Sequence, residues 1–240
     1  MADLEVVPIP WDQFRKEWFP AHVEPGDHVS FVAPTKSGKT TFWAGILPER
    51  NWVLAFDPKG GDTTLKKTGF QRCTTWPLDR RTMRRIREDG EPYRAILGRV
   101  TGSVDDIAWN ADFFKRVLDD VFAIGGWTVY LDELQLACDR RMMDLSAQVE
   151  RHLIAARDKK SSFFSSFQRP ANVPRTASDQ TMWIAAGRTR DRDTVNRLAE
   201  MAGRPAAEMR GLMNKMDRFS VALFSLDPYE PVILTKPHKI

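Results

Sequence analysis

Cysteine is nearly missing from this chain of 240 residues: there are two, Cys73 and Cys138, far apart and in no CxxC pair. That excludes a disulfide framework and fits a reducing compartment. Histidine is almost as scarce. His22, His28, His152 and His238 show no metal-ligand spacing, so no zinc site is expected. No apolar run approaches the roughly 18–20 residues needed to cross a bilayer. Residues 1–10, with acidic Asp3 and Glu5, lack the basic-then-apolar order of a secretory leader. There is no internal repeat and no low-complexity tract. The expectation is a soluble intracellular protein without a transmembrane segment.

What remains is an ordinary globular balance, 42% hydrophobic and 28% charged, enough to bury the core of one large α/β domain. The net charge of +4 permits contact with a polyanion without requiring it. The basic residues are unevenly spread. Arg80 to Arg87 holds five arginines, and Arg188 to Arg197 holds four interleaved with aspartates. A solvated helix face accounts for the first group as well as a phosphate-contacting surface does.

Residues 1–27 read as an aromatic-rich extension, with Trp11, Phe14 and Trp18 at helical spacing, ending in the turn Glu24-Pro25-Gly26-Asp27. Residues 28–240 read as the main domain. HVSFVA from His28 and WVLAF from Trp52 have strand length and character, and residues 94–100 form a weaker third run. Phe113, Phe114, Val117, Leu118, Val121 and Phe122 repeat at the spacing of a helix laying one face on a core. WTVYL from Trp127, SFFSSF from Ser162 and TMWIAA from Thr181 add strands. Helices are expected near 144–156 and 194–201. Buried strands alternating with helices predict a mainly parallel sheet covered on both faces. The tail, 219–224 and 231–235 around Asp227-Pro228, predicts a β-hairpin at one edge of that sheet.

Three segments carry chemistry. Ala33-Pro34-Thr35-Lys36-Ser37-Gly38-Lys39-Thr40 follows a strand and opens a helix. It matches the phosphate-binding pattern G-x-x-x-x-G-K-[ST] at every fixed position but the first, where Ala33 replaces glycine. Backbone N–H groups there must converge on the β-phosphate, and Gly38 lets the main chain come close. Lys39 can bridge the β- and γ-oxygens, and the Thr40 hydroxyl can ligate Mg²⁺. Thr41 extends the nucleotide-binding set. In the second segment the strand Trp127 to Leu131 ends in Asp132-Glu133. Asp132 is expected to hold Mg²⁺, and Glu133 to orient or deprotonate the attacking water. Two solvated acids at a strand end would look the same in isolation. In the third, Gln168 precedes Arg169-Pro170 at the end of the next strand, at the sheet edge where ligands of open α/β sheets bind. Its amide can hydrogen-bond the γ-phosphate or the water without changing the charge. It can equally be a turn residue.

In their order and spacing these segments, together with Asp57-Pro58-Lys59-Gly60 after the second strand, resemble the FtsK–HerA family of DNA-translocating ATPases across residues 26–203. The resemblance implies a RecA-like P-loop NTPase fold of the additional-strand, catalytic-glutamate type. It implies ATP and Mg²⁺ as ligands, and subunits in a homo-oligomeric ring around double-stranded DNA bound without sequence preference. It also implies an arginine that completes the neighbour's site. Arg157 matches the position where the family keeps that arginine; Arg188 and Arg190 are the competing candidates, and a surface arginine favouring a helix dipole is the plainer reading of Arg157. The size and layout are similar to the genome-packaging ATPases of tailless, membrane-containing bacteriophages. Capsid or portal-vertex proteins then become expected partners, in the host cytoplasm or on the virion at the packaging vertex. A DNA-transfer ATPase of a conjugative or integrative element fits the same residues. A small-molecule kinase shares the loop but usually lacks the acid pair and the amide. A non-hydrolysing switch or scaffold has no need of Glu133.

Overall fold

A computed structural model of the chain describes residues 4–170 and 173–238. In chain order the strands are β1 (Val6–Pro8), β2 (Val29–Val32), β3 (Trp52–Phe56), β4 (Gln71–Cys73), β5 (Tyr93–Leu97), β6 (Thr128–Leu131), β7 (Ser162–Phe167), β8 (Trp183–Gly187), β9 (Val221–Ser225) and β10 (Val232–Thr235). Among the described residues they form one sheet, in the order β1-β10-β9-β8-β2-β7-β6-β3-β5-β4. From β8 to β4 every neighbouring pair is parallel, while β9 is antiparallel to both β8 and β10. This is the α/β architecture of a P-loop NTPase. β7 lies between the strand that feeds the phosphate loop and the strand that ends in the acid pair, which makes it the additional strand.

Side-chain alternation sorts the core onto two faces. Val129 and Leu131 of β6 face one cluster with Phe113, Phe114, Val117, Leu118 and Val121 of the helix Val104–Ile124. Tyr130 faces the other, with Phe42 and Trp43 of the helix Lys39–Ile46. Strands buried on both faces read as continuous apolar runs, which is why β2, β3, β6 and β7 were legible as strands. The helix Val104–Ile124 begins nine residues before Phe113, the first residue of the apolar repeat that announces it. Ser103 and Asp106 form a reciprocal capping box: Asp106 N donates to Ser103 Oγ at 3.2 Å, and Ser103 N donates to Asp106 Oδ2 at 3.1 Å.

The tail forms the expected hairpin, but not at the sheet's margin. β1 pairs in parallel with β10 outside it, with Val6 opposite Val232 and Pro8 opposite Leu234. Proline is tolerated there because an outermost strand leaves one row of N–H groups unpaired. The aromatic stretch after β1 is helical from Trp11 to His22, with a π-helical turn at Phe14–Trp18. Trp11, Phe14 and Phe19 are buried in the second cluster with Phe42, so the rings pack rather than face solvent. A Cβ on Gly45 would lie 2.4 Å from the Trp11 ring, so glycine is what lets the N-terminal segment seat against the helix that follows the phosphate loop.

Candidate active site

Register places the chemistry. Val32 pairs with Phe167, Leu131 with Ser165, and Phe56 with Leu131. The residues that leave β2, β7, β6 and β3 therefore stand side by side at the C-terminal edge of the sheet. In that row come Ala33 to Thr41, then Gln168, then Asp132 and Glu133, then Asp57 to Gly60. Thr35 through Thr41, Lys59, Asp132, Glu133 and Phe219 line a single cavity of about 460 Å³ there.

The loop turns through two left-handed residues, Lys36 at φ 61° and Gly38 at φ 93°. Gly38 is the N-cap of the helix Lys39–Ile46, so the helix's first N–H groups open towards the cavity. Ala33 in place of the first glycine is accommodated by its neighbour on β8. A Cβ on Gly187 would lie 2.7 Å from Ala33 Cβ, so a glycine has been kept, one strand away. Lys39 Nζ donates to the carbonyls of Ala33 at 2.7 Å and Pro34 at 2.9 Å. Burial pulls its ammonium below the usual lysine range, and the charges of Glu133 and Asp132 pull the other way. Ser37 Oγ is buried with no hydrogen-bond partner among the described residues.

Glu133 sits in the left-handed region at φ 53° and is held from two sides. Lys59 Nζ approaches Glu133 Oε1 to 2.9 Å. Gln168 Nε2 donates to Glu133 Oε2 at 3.3 Å, while Gln168 Oε1 accepts from Thr35 Oγ1 at 2.9 Å. Gln168 thus links the phosphate loop to the acid. Asp132 keeps some solvent contact yet is enclosed by protein. Burial first, and the Glu133 charge second, push its carboxyl up to about 6, while the Tyr130 hydroxyl, donating at 3.1 Å, works against the rise. A carboxylate so placed gains by meeting a cation. With Thr40 in the first turn of the helix Lys39–Ile46, on the same cavity as Asp132, the donor set fits an oxygen-ligated divalent metal.

The loop that carries Lys59 is itself braced. Asp57 accepts from Gly60 N at 2.9 Å, from Asp62 N at 2.8 Å and from Arg72 Nη2 at 3.3 Å. Gly60, at φ 67°, leaves no room for a Cβ, which would lie 2.3 Å from Thr101 N. The sequence marked Asp57 to Gly60 as a segment but gave Lys59 no role. Thr35 was named within the phosphate-binding pattern, but its bond to Gln168, 133 residues away, was not foreseen, and Phe219 carried no signal at all.

Arg157 lies elsewhere. It opens the turn Arg157–Lys159 just before β7 begins, with Nη2 3.8 Å from Asp27 Oδ1 and Nη1 3.6 Å from Met182 Sδ. Those partners precede β2 and β8, so Arg157 occupies the opposite edge of the sheet, roughly 20 Å from Lys39 by the rise along a six-residue strand. Arg188 and Arg190 follow β8 at the phosphate-loop edge, Arg188 half-buried and Arg190 exposed. Arg80 to Arg87 lies on the helix Arg80–Glu88, of which only Ile86 is buried. Arg84 there pairs with Glu88 at 2.6 Å and Arg85 with Glu91. Among the described residues no His/Cys/Asp/Glu cluster resembles a metal cage, and no helix is long and apolar enough to cross a membrane.

No protein-family model matches the chain, and no curated protein sequence matches it. Solved structures do. The genome-packaging NTPase B204 of Sulfolobus turreted icosahedral virus 2, in complex with AMPPCP, is 15% identical over 90% of this chain and 100% of that one, with a TM-score of 0.63. The cytoplasmic domain of the type VII secretion ATPase EccC from Thermomonospora curvata is 14% identical over 92% of this chain and 26% of that one, with a TM-score of 0.56. The conjugation coupling protein TcpA of pCW3, with ATPγS, is 13% identical over 87% and 59%, with a TM-score of 0.53. This chain has the fold that those proteins share.

Proposed function

We propose that the chain is an ATP hydrolase that drives double-stranded DNA, as one subunit of a homo-oligomeric ring, in the packaging of a viral genome. The observation that carries this reading is the row on four adjacent strands: Lys39, Gln168, the pair Asp132–Glu133, and Lys59. A phosphate loop alone would suit a kinase. An acid held by an amide that also touches the phosphate loop suits a hydrolase whose water-activating group responds to the nucleotide.

On this reading Lys39 exchanges the Ala33 and Pro34 carbonyls for β- and γ-phosphate oxygens, and Ser37 Oγ and the loop N–H groups add donors. Glu133 takes a proton from a water as that water attacks the γ-phosphorus. The bond from phosphorus to the β,γ-bridging oxygen breaks, and the electron pair leaves with ADP. Thr40 and Asp132 would hold Mg²⁺, which would neutralise charge on the β- and γ-phosphates. Lys59 must leave Glu133, or turn to the γ-phosphate, for the carboxylate to act as a base. Arg157, on the far edge of its own sheet, would meet a nucleotide on another subunit, where a guanidinium would stabilise charge building on the γ-phosphate. Capsid or portal-vertex proteins are the partners this reading requires, in the host cytoplasm or at the virion vertex.

The likeness to B204 supports packaging, and the likeness to TcpA supports a second reading, DNA transfer by a conjugative element. Capsid genes beside its own would favour the first, relaxase genes the second. The common claim is tested by ATP turnover with and without long duplex DNA over a salt series. Stimulation at low salt that falls steeply as salt rises is expected of phosphate-backbone contact. Turnover indifferent to DNA at every salt concentration would remove the DNA motor and leave an ATPase.

A further inference from the structure

Beside the phosphate cavity lies a second, more apolar groove of about 330 Å³, lined by Gly38, Thr41, Phe219, Lys236 and Pro237. The two are continuous, since Gly38, Thr41 and Phe219 line both. The topology explains the meeting. β9 starts at Val221 opposite Gly187, the last residue of β8, and β10 ends at Thr235 opposite Val221. The turn before β9 and the segment after β10 therefore both return to the edge that carries the phosphate loop. We propose that this groove is the nucleobase subsite and that Phe219 is the residue that stacks on the base. The proposal rests on the nucleotide-site reading above and adds to it the position and chemistry of base recognition.

Four observations carry it. Phe219 is a large ring left 41% exposed, although most of the chain's phenylalanines are buried. It is held at φ 68°, a left-handed conformation that a bulky side chain rarely adopts and that the surrounding structure must impose. Its ring stands against the loop: a Cβ on Gly38 would lie 3.4 Å from Phe219 Cδ1. The Arg218 guanidinium lies 4.6 Å from the ring centroid, one more support for the ring's setting. The groove's location also matches the reach of the ligand. With triphosphate oxygens at Lys39 and at the start of the helix, the groove that shares Gly38 and Thr41 with that cavity is an adjoining space open to the ribose and base. Among the described residues the only charged side chain lining the groove, Lys236, pairs with Asp217 at 3.3 Å on the exposed rim. Stacking on a π-face with few polar groups opposite the base edge is tolerant of base identity, so the site is expected to accept purine triphosphates without sharp choice between them.

The test compares binding of MgATP, MgGTP and magnesium tripolyphosphate to wild-type protein, Phe219→Asn and Phe219→Tyr. Asparagine tolerates the left-handed backbone while removing the ring. The expected result is that Phe219→Asn weakens MgATP and MgGTP by roughly tenfold or more, as loss of one base–aromatic stack implies, and leaves tripolyphosphate unchanged. Phe219→Tyr should bind all three as wild type does. If Phe219→Asn weakens tripolyphosphate as much as MgATP, the ring supports the phosphate loop instead and the subsite assignment is overturned; equal ATP affinity in all three proteins overturns it too. If wild-type protein binds neither MgATP nor tripolyphosphate, the nucleotide-site reading fails first and the base subsite with it.

Discussion

At the scale of single residues, Ala33 and Gly187 illustrate how a departure from a motif is absorbed. The methyl group that the phosphate loop gains at Ala33 occupies space that Gly187 of β8 leaves open. Gly187→Ala should therefore force two methyl groups together and cost roughly 1–3 kcal/mol of stability, the usual penalty for overpacking a tight site, with weaker MgATP binding. The double variant with Ala33→Gly should recover both; calorimetry and ATP titration on the two proteins check it, and a double variant as impaired as the single one would refute the pairing. Two buried histidines make the fold sensitive to acid. Burial holds His28 and His152 down to about 4, and each has one ring nitrogen without a partner among the described residues. His28 faces His152 and Arg157, while His152 faces Arg151 and Asp119; the positive neighbours oppose protonation. The unfolded chain binds these protons near the ordinary value of 6.5 and the folded chain only near 4. Stability should therefore fall as pH drops from about 6.5 to 4, and the slope should lessen in His28→Gln. An unchanged slope in urea unfolding across that range would place the acid sensitivity elsewhere.

At the scale of elements, the strands that bear the site are the ones whose sequences spoke most clearly. β2, β6 and β7 are buried on both faces, so their apolar runs are unbroken and their last residues point to the sheet edge. The loop, the acid pair and Gln168 could be placed at that edge from sequence because each directly follows such a run. β1 and β4 could not: each has three residues and none of them is buried, so no periodicity builds up. The early start of the helix Val104–Ile124 was hidden because Val104, Asp105 and Ala108 are exposed and Ile107 and Trp109 only partly buried, so no continuous apolar face builds up there. Lys59, Phe219 and the bond between Thr35 and Gln168 were illegible for another reason: they come from which strand ends become neighbours, and that is a property of the sheet order. The N-terminal aromatics belong here too, because Trp11 against Gly45 ties residues 11–22 to the helix that carries Lys39. Trp11→Ala should open a cavity against that helix and cost roughly 3–5 kcal/mol, as large-to-small core changes at tryptophan do. A melting temperature within a degree or two of wild type would show that the segment is dispensable.

At the scale of the whole molecule, the proposed function assigns complementary halves of one reaction to the two edges of the sheet. The C-terminal edge holds Lys39, Asp132, Glu133 and Gln168; the opposite edge holds Arg157 beside Asp27. On that proposal one chain does not bring both to the same phosphate, and the proposed ring would do so by setting one subunit's edge against the next. Arg157→Ala and Lys39→Ala should each be inactive alone, yet mixtures should regain part of the turnover, since a subunit with an intact loop can sit against one with an intact arginine. No recovery at any mixing ratio would count against Arg157 and turn attention to Arg188 and Arg190 at the other edge. The central claim, that Glu133 is the base of a nucleotide-hydrolysing site, is tested most directly by measuring MgATP binding and steady-state turnover on the same samples of wild type and Glu133→Gln. The account predicts that the variant still binds MgATP while its turnover falls by roughly 10²–10⁴-fold, the range that general-base catalysis supplies. A variant that hydrolyses ATP as fast as wild type would contradict it.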